Sequence, residues 1–318
     1  MRQQTSASLS LDLDNLWAYM RIHGEDGWQA FPSYLDVVVP RFLGFVDARS
    51  LTMTVFVVGK DATIEANHRA LAAIVAAGHE IGNHSFMHEP WLHRYSSADI
   101  DAEITTAHDA ISRATGHTPR GFRGPGFSVT PAVLDTLSRL GYDYDTTTLP
   151  TFIGPLARWY YFRGADLTDE QAAERNALFG SFRDGWLPNK PYTWRVGDRT
   201  LEELPVTTFP VLKVPFHFSY LLYLSGMSER AADLYFRAGM AACRRLGIGP
   251  TMLLHPLDFL DATDAPEVGF FPAMDIPAAT KMRRLGRYVD RLTSAFDVVP
   301  VGTQAETVAE LGRTRSLA

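Results

Sequence analysis

Residues 51–85 read LTMTVFVVGKDATIEANHRALAAIVAAGHEIGNHS. The opening run, LTMTVFVVG (51–59), is apolar and rich in β-branched residues, and it stops at Gly59. That fits a strand buried on both faces. TIEANHRALAAIVAAG (63–78) repeats its apolar residues at the helical period, with Gly78 as its stop signal. HEIGNHS then gives a short strand and loop. The same rhythm extends in both directions. Upstream, SASLSLDLD (6–14) is a strand by the alternation of Leu9, Leu11 and Leu13. SYLDVVVPRFLGFVDARS (33–50) is helical despite Pro40. Downstream, SSADIDAEITTAHDAISRATG (96–116) is a helix with serine caps, and GFRGPGFSV (121–129) is a loop with strand character. TPAVLDTLSRLG (130–141) is a helix with Thr130 as its cap and Pro131 in its first position, and YDYD (142–145) is one more strand. Strands alternating with helices from residue 6 to about 145 are the signature of βα units on a parallel sheet, an α/β fold.

The rhythm breaks over 151–199, where Trp159, Tyr160, Tyr161, Phe162, Trp186 and Trp194 stand among scattered Gly and Pro. This stretch reads as an insertion, or a lid, within a single domain spanning 1–318. Its aromatics suit either a sugar-stacking cover or a small core of its own. The α/β pattern resumes at TLEELPV (200–206). A helix at about 228–246, the strand PTMLLH (250–255), a helix over 278–296, the strand DVVPV (297–301) and a short end helix complete it.

The 318 residues can bury a large core. With 46% hydrophobic and 21% charged residues, the composition is that of a globular protein. A net charge of −6 argues against a nucleic-acid partner, which would call for a basic face. A single cysteine, Cys243, rules out an intramolecular disulfide and reads as a buried thiol on a helix. MRQQTSASLSLDLD (1–14) lacks the apolar core of a signal peptide, so a cytoplasmic location is expected. FPVLKVPFHFSYLLYLSGM (209–227) is apolar, but Lys213, His217 and two prolines interrupt it. No transmembrane segment is expected there, while a peripheral membrane contact stays open.

Parallel α/β folds gather chemistry at the carboxyl ends of their strands. The ionisable residues at those ends form an ordered set. Asp12 and Asp14, two apart, share a face of the first strand. His84 and His88 follow the third, and their spacing suits two ligands of one ion. Arg123 lies in FRGPGF, Asp143 and Asp145 in YDYD, and His255 closes MLLH. Each has an ordinary alternative as a cap, a surface pair or a satisfied core histidine. Together they would cost several kcal/mol per unpaired charge at one sheet edge, which a metal or a reaction would explain.

The ordered motifs LDLDN, NHSFMH, FRGPGF, GYDYD and LLH resemble those of the polysaccharide deacetylase family, also called the NodB-homology domain or carbohydrate esterase family 4. TVFVVGK (54–60) is similar to that family's second strand. The resemblance covers residues 6 to about 150 and 250–258, and it implies a distorted (β/α)7 barrel. It further implies one divalent metal ion held by Asp14, His84 and His88, with Ser85 bracing the loop. Zinc is the first expectation, and cobalt, nickel or iron suit the same donors. Asp12 is implied as general base with Arg123 as its partner, and His255 as general acid. Asp145 would steady His255, with Asp143 and Asp258 as competing partners. Gly126 and Phe127 stand where the oxyanion and substrate would be met. The family's usual aspartates are adjacent, whereas Leu13 separates these two. That arrangement resembles a variant subset that includes deformylases of lipid-linked amino sugars, and it leaves either carboxylate open to either part. His79 and His93 are nearby non-ligands.

The implied activity is metal-dependent removal of an N-acetyl or N-formyl group from an amino sugar or sugar conjugate, small or lipid-linked. An amidohydrolase acting on a non-sugar amide or cyclic ureide is the second reading. A sugar-binding module that has lost its chemistry is the third.

Overall fold

The computed structural model describes residues 5–127, 129–154, 182–308 and 313–316. Strand β1 (Ser6–Leu13) is followed by α1 (Leu16–His23) and α2 (Leu35–Asp47). Then come β2 (Thr54–Val57), the short α3 (Gly59–Ala62), α4 (His68–Ala76) and β3 (Glu80–Asn83). Helix α5 (Ser97–Thr115), β4 (Gly121–Phe122), α6 (Pro131–Leu140) and β5 (Tyr144–Asp145) continue the alternation. After the hairpin β6 (Tyr192–Val196) and β7 (Arg199–Glu203) come α7 (Phe218–Met227), α8 (Glu229–Leu246) and β8 (Thr251–Leu254). Helix α9 (Ala278–Ala295), β9 (Asp297–Val299), α10 (Val301–Ala305) and β10 (Thr314–Ser316) end the described chain.

The strands form one sheet in the order β10-β6-β7-β5-β4-β3-β2-β1-β8, with β9 beside the start of β1. Among the described strands, all pairings are parallel except β6 with β7. The expected α/β architecture is therefore present, with one antiparallel hairpin that the sequence pattern did not signal. Among the described residues the ladder does not close into a ring. A backbone bond from Thr207 N–H to Thr251 O (3.0 Å) spans the gap between the segment after β7 and β8.

Local chemistry accounts for the element ends. Thr130 accepts a bond from Val133 N–H, Pro131 follows, and Gly141 ends α6 in the left-handed region at φ 77°. Ser96 caps α5 in the same way through Asp99 N–H. Helix α1 was not anticipated; Asn15 caps it and Gly24 ends it.

The core lies between the sheet and its helices. Leu9, Leu11 and Leu13 of β1 pack with Val38 and Phe42 of α2 and Leu285 of α9. The opposite face of β1 is also buried, yet it carries Ser8, Ser10 and Asp12. Alternation in β1 thus separates an apolar face turned to the helices from a polar face turned to the sheet's interior. That polar face positions the site. No helix among the described residues is long and apolar enough to cross a membrane. The stretch 209–227 instead supplies α7, with Phe218, Leu221 and Leu222 buried.

Of the six aromatics singled out in 151–199, Trp159, Tyr160, Tyr161 and Phe162 lie outside the described residues. Trp194 is a core residue beside Tyr192 and Leu201, and Trp186 is 75% exposed.

Candidate active site

Asp14 comes one residue after β1, His84 directly after β3, Arg123 directly after β4 and His255 directly after β8. Parallel pairing brings these four strand ends to one edge. Asp14 Oδ1 lies 3.1 Å from His84 Nε2 and 3.1 Å from His88 Nε2. Ligand atoms of the three residues all fall within 4.8 Å of one another, and all three side chains are buried.

These residues fit a metal ion on their own chemistry. His84 Nδ1 donates to the Arg123 carbonyl at 2.6 Å, which leaves Nε2 with its lone pair facing Asp14. Asp14 Oδ1 is buried, and no hydrogen of the two imidazoles aligns with it as a donor. Three electron-pair donors thus converge on one point without bonding each other. Burial alone would raise the Asp14 carboxyl; the His88 and His84 imidazoles beside it outweigh that and hold Asp14 well below the usual carboxylate range.

The histidine loop is held in an uncommon backbone shape. Ser85 and His88 have φ of 60° and 51°, in the left-handed region. Glu103 of α5 accepts from Phe86 N–H (2.9 Å) and Met87 N–H (2.6 Å). Gly59 N–H donates to Ser85 O, and Ser85 Oγ accepts from Glu89 N–H. Arg21 of α1 reaches Met87 O and Glu89, lying between the rings of Trp28 and Trp91.

Asp12 and Arg123 form a second unit. Arg123 is fully buried, and its Nη1 donates to Asp12 Oδ1 at 2.7 Å and Ser10 Oγ at 2.8 Å. Nε and Nη2 bond the carbonyl and hydroxyl of Thr146, and the guanidinium stacks over Phe56. The other oxygen of Asp12, Oδ2, faces His255 Nε2 at 4.0 Å. Gly126 (φ 65°) and Phe127 (φ 62°) occupy the turn after β4, and Phe127 packs against Leu149, Val206 and Leu253.

The partner expected for His255 is corrected by the structure. Asp145 accepts from Thr147 Oγ1 and faces Glu203 of β7. Burial raises Asp145 to about 6, and burial with the Asp145 charge pushes Glu203 well above the carboxylate range. Asp145 has this partnership because β7 lies directly beside β5. Asp143 is at the surface with Arg120. His255 Nδ1 instead lies 2.8 Å from Ser219 Oγ of α7, and Ser219 Oγ donates to Asp258 Oδ2 at 2.9 Å. Of the two nearby non-ligands, His79 accepts from Met53 N–H and packs on Phe42, and neither it nor His93 belongs to the ligand cluster. Sequence reading missed Ser219, Thr146 and Glu203. No motif marks the first of these, which sits inside an apolar stretch.

Fold and site together define an α/β protein with a candidate metal centre, a carboxylate–arginine pair and a histidine gathered at the ends of parallel strands. Residues 25–144 match the model of the family described as Polysaccharide deacetylase. A peptidoglycan deacetylase from Helicobacter pylori (strain ATCC 700392 / 26695) is 25% identical over 170 residues, which cover 52% of this chain and 56% of that protein. The chain thus matches little more than half the length of that curated relative. A crystal structure from Mycobacterium smegmatis, provisionally assigned as a polysaccharide deacetylase, superposes with a TM-score of 0.64 at 20% identity, covering 99% of this chain and 94% of the other. Puue allantoinase superposes with a TM-score of 0.55 at 16% identity, over 95% and 89% of the two chains. These two likenesses establish the fold alone.

Proposed function

We propose that the chain is a metal-dependent hydrolase that removes an N-acetyl or N-formyl group from an amino sugar or sugar conjugate. The observation that carries this reading is the convergence of Asp14, His84 and His88, with Asp12 and His255 facing each other beside them. The family match over 25–144 and the name of the Helicobacter pylori relative support an N-acyl sugar as substrate.

Asp14 Oδ1, His84 Nε2 and His88 Nε2 would hold the cation, with zinc as the first choice for two imidazoles and one carboxylate. When bound, such an ion supplies Lewis acidity toward an acyl oxygen and acidifies water. Asp12 takes the proton of the attacking water through Oδ2, the oxygen Arg123 leaves free. The guanidinium on Oδ1 fixes that carboxylate in direction. His255 Nε2 gives a proton to the departing amine, which leaves poorly as an anion. The backbone N–H of Gly126 is the candidate second donor to the oxyanion, and glycine there lets a substrate come close.

The test is elemental analysis of the purified protein together with a panel of N-acetyl sugars, N-formyl sugars and cyclic ureides. A stoichiometric divalent metal and turnover of an N-acyl sugar that chelation abolishes are expected. Turnover confined to cyclic ureides would replace the substrate class. Full activity after chelation and dialysis would remove the metal from the chemistry.

A further inference from the structure

We infer that Ser219 is a positioning residue of the active site, linking the Asp258 carboxylate to the His255 imidazole and fixing which ring nitrogen faces the reaction. The inference rests on the hydrolase reading for its catalytic consequence, though not for its geometry.

Three groups from two separate segments meet here. His255 and Asp258 lie on the turn after β8, and Ser219 lies in the first turn of α7. Asp258 is 3% exposed, and its Oδ2 accepts from both the His255 backbone N–H (2.8 Å) and Ser219 Oγ (2.9 Å). An ionised carboxylate can only accept, so the single hydroxyl proton of Ser219 points to Asp258. The hydroxyl then faces His255 Nδ1 at 2.8 Å with lone pairs only. Nδ1 must therefore carry a proton, and Nε2 is the nitrogen that exchanges one with the site. This is the nitrogen 4.0 Å from Asp12 Oδ2. Burial raises the Asp258 carboxyl, and the His255 charge, the bonds from His255 N–H and Ser219, and the Lys281 charge all act against that rise; Lys281 of α9 itself donates to the Leu257 carbonyl at 2.7 Å.

The serine does what a direct aspartate–histidine contact would otherwise do, one atom further away. It holds the ring so that Nε2 faces the reaction. Among the described residues, the charged and titratable groups facing His255 are few. Asp12 comes from β1 and Asp258 from its own turn, with Lys281 behind the latter. His217 of α7 has its ring centroid 6.2 Å away, and burial, with the His255 charge, keeps it neutral at ordinary pH.

The readout that stands apart from turnover is the tautomer of His255, taken from long-range ¹H–¹⁵N correlation of the histidine-labelled protein. Neutral His255 is expected with its proton on Nδ1. Ser219→Ala should lose that preference, and Ser219→Thr should keep it. In assays on an N-acyl sugar, Ser219→Ala should lower kcat by about tenfold with KM and metal content unchanged, the scale of one bond to a charged group. Ser219→Thr should restore the rate. A neutral wild-type His255 protonated on Nε2 would overturn the inference. So would a Ser219→Ala protein with an unchanged tautomer. Should no N-acyl sugar be turned over, the tautomer result still decides for or against the link.

Discussion

Arg123 shows how one buried residue joins fold to chemistry. It has no access to solvent, and four of its contacts are to Asp12, Ser10 and both polar groups of Thr146. A buried carboxylate that loses its counter-charge is expensive, about 3–5 kcal/mol. Arg123→Met, similar in length but neutral, is therefore expected to lower unfolding free energy by about that amount in urea titrations and to reduce turnover with it. His255 makes the opposite case. Its side chain is 22% exposed and outside the ligand cluster. His255→Ala should lower kcat by roughly 10²–10⁴-fold, the range for a lost general acid, while elemental analysis finds the same metal content. Loss of the metal along with the rate would move His255 among the ligands. Asp14→Ala is the counterpart, expected to lose metal and rate together. The residues on which these expectations rest were legible because each stands at a strand end in a recognisable motif. The support of His255 was legible only in part: Asp258 stood among its expected partners, whereas Ser219 is 36 positions away and carries no mark in sequence beyond being a serine in an apolar run.

At the scale of elements, the alternation of strands and helices was readable because buried strands and amphipathic helices differ in apolar period. The β6–β7 hairpin escaped because its strands fall where Gly, Pro and aromatics blur that period. The polar face of β1 was visible as alternation, but alternation ordinarily signals solvent, and here both faces are buried. The histidine loop is where elements cooperate most closely. Two non-glycine residues at positive φ cost on the order of 1–3 kcal/mol each, so the loop needs outside support. Glu103 of α5 supplies it through the Phe86 and Met87 N–H groups. Burial raises the Glu103 carboxyl, and those two N–H bonds act against the rise. Glu103→Ala should leave all three ligands in the chain but weaken metal binding roughly 10–100-fold, the usual effect of losing a group that orients ligands. Competition against a chelator of known affinity would measure it. Unchanged affinity would mean that Arg21 and the Gly59 contact hold the loop unaided.

For the whole molecule, buried carboxyls set opposing dependences of stability on pH. Asp14 is held well below its ordinary value, so its contribution is present above about pH 4 and is lost on acidification. Asp145 and Glu203 are raised, as a buried pair that cannot easily bear two charges. Asp61 is raised too: it is fully buried on α3, and burial lifts it from 3.8 to about 7 against bonds from Asn15, Trp17 and Asn67. A raised acid binds its proton more tightly folded than unfolded. Its stabilisation is therefore complete below about pH 4 and fades as pH rises through about 7. The span from 3.8 to about 7 corresponds to roughly 4 kcal/mol at most. The metal-free protein should thus be most stable under mildly acidic conditions and lose stability toward pH 8. Asp61→Asn tests the share of that loss due to this residue. Asparagine keeps an oxygen to accept from Asn15 Nδ2 and Trp17 Nε1, which now reach Asp61 Oδ1 at 2.7 and 3.0 Å, and it cannot ionise. Urea unfolding of wild type and Asp61→Asn at pH 5 and pH 8 should show a smaller drop in the variant. Equal drops would mean that the fall in stability originates with the other raised carboxyls, Asp145, Glu203, Glu103 and Asp258 among them, and that Asp61 stays charged in the folded protein.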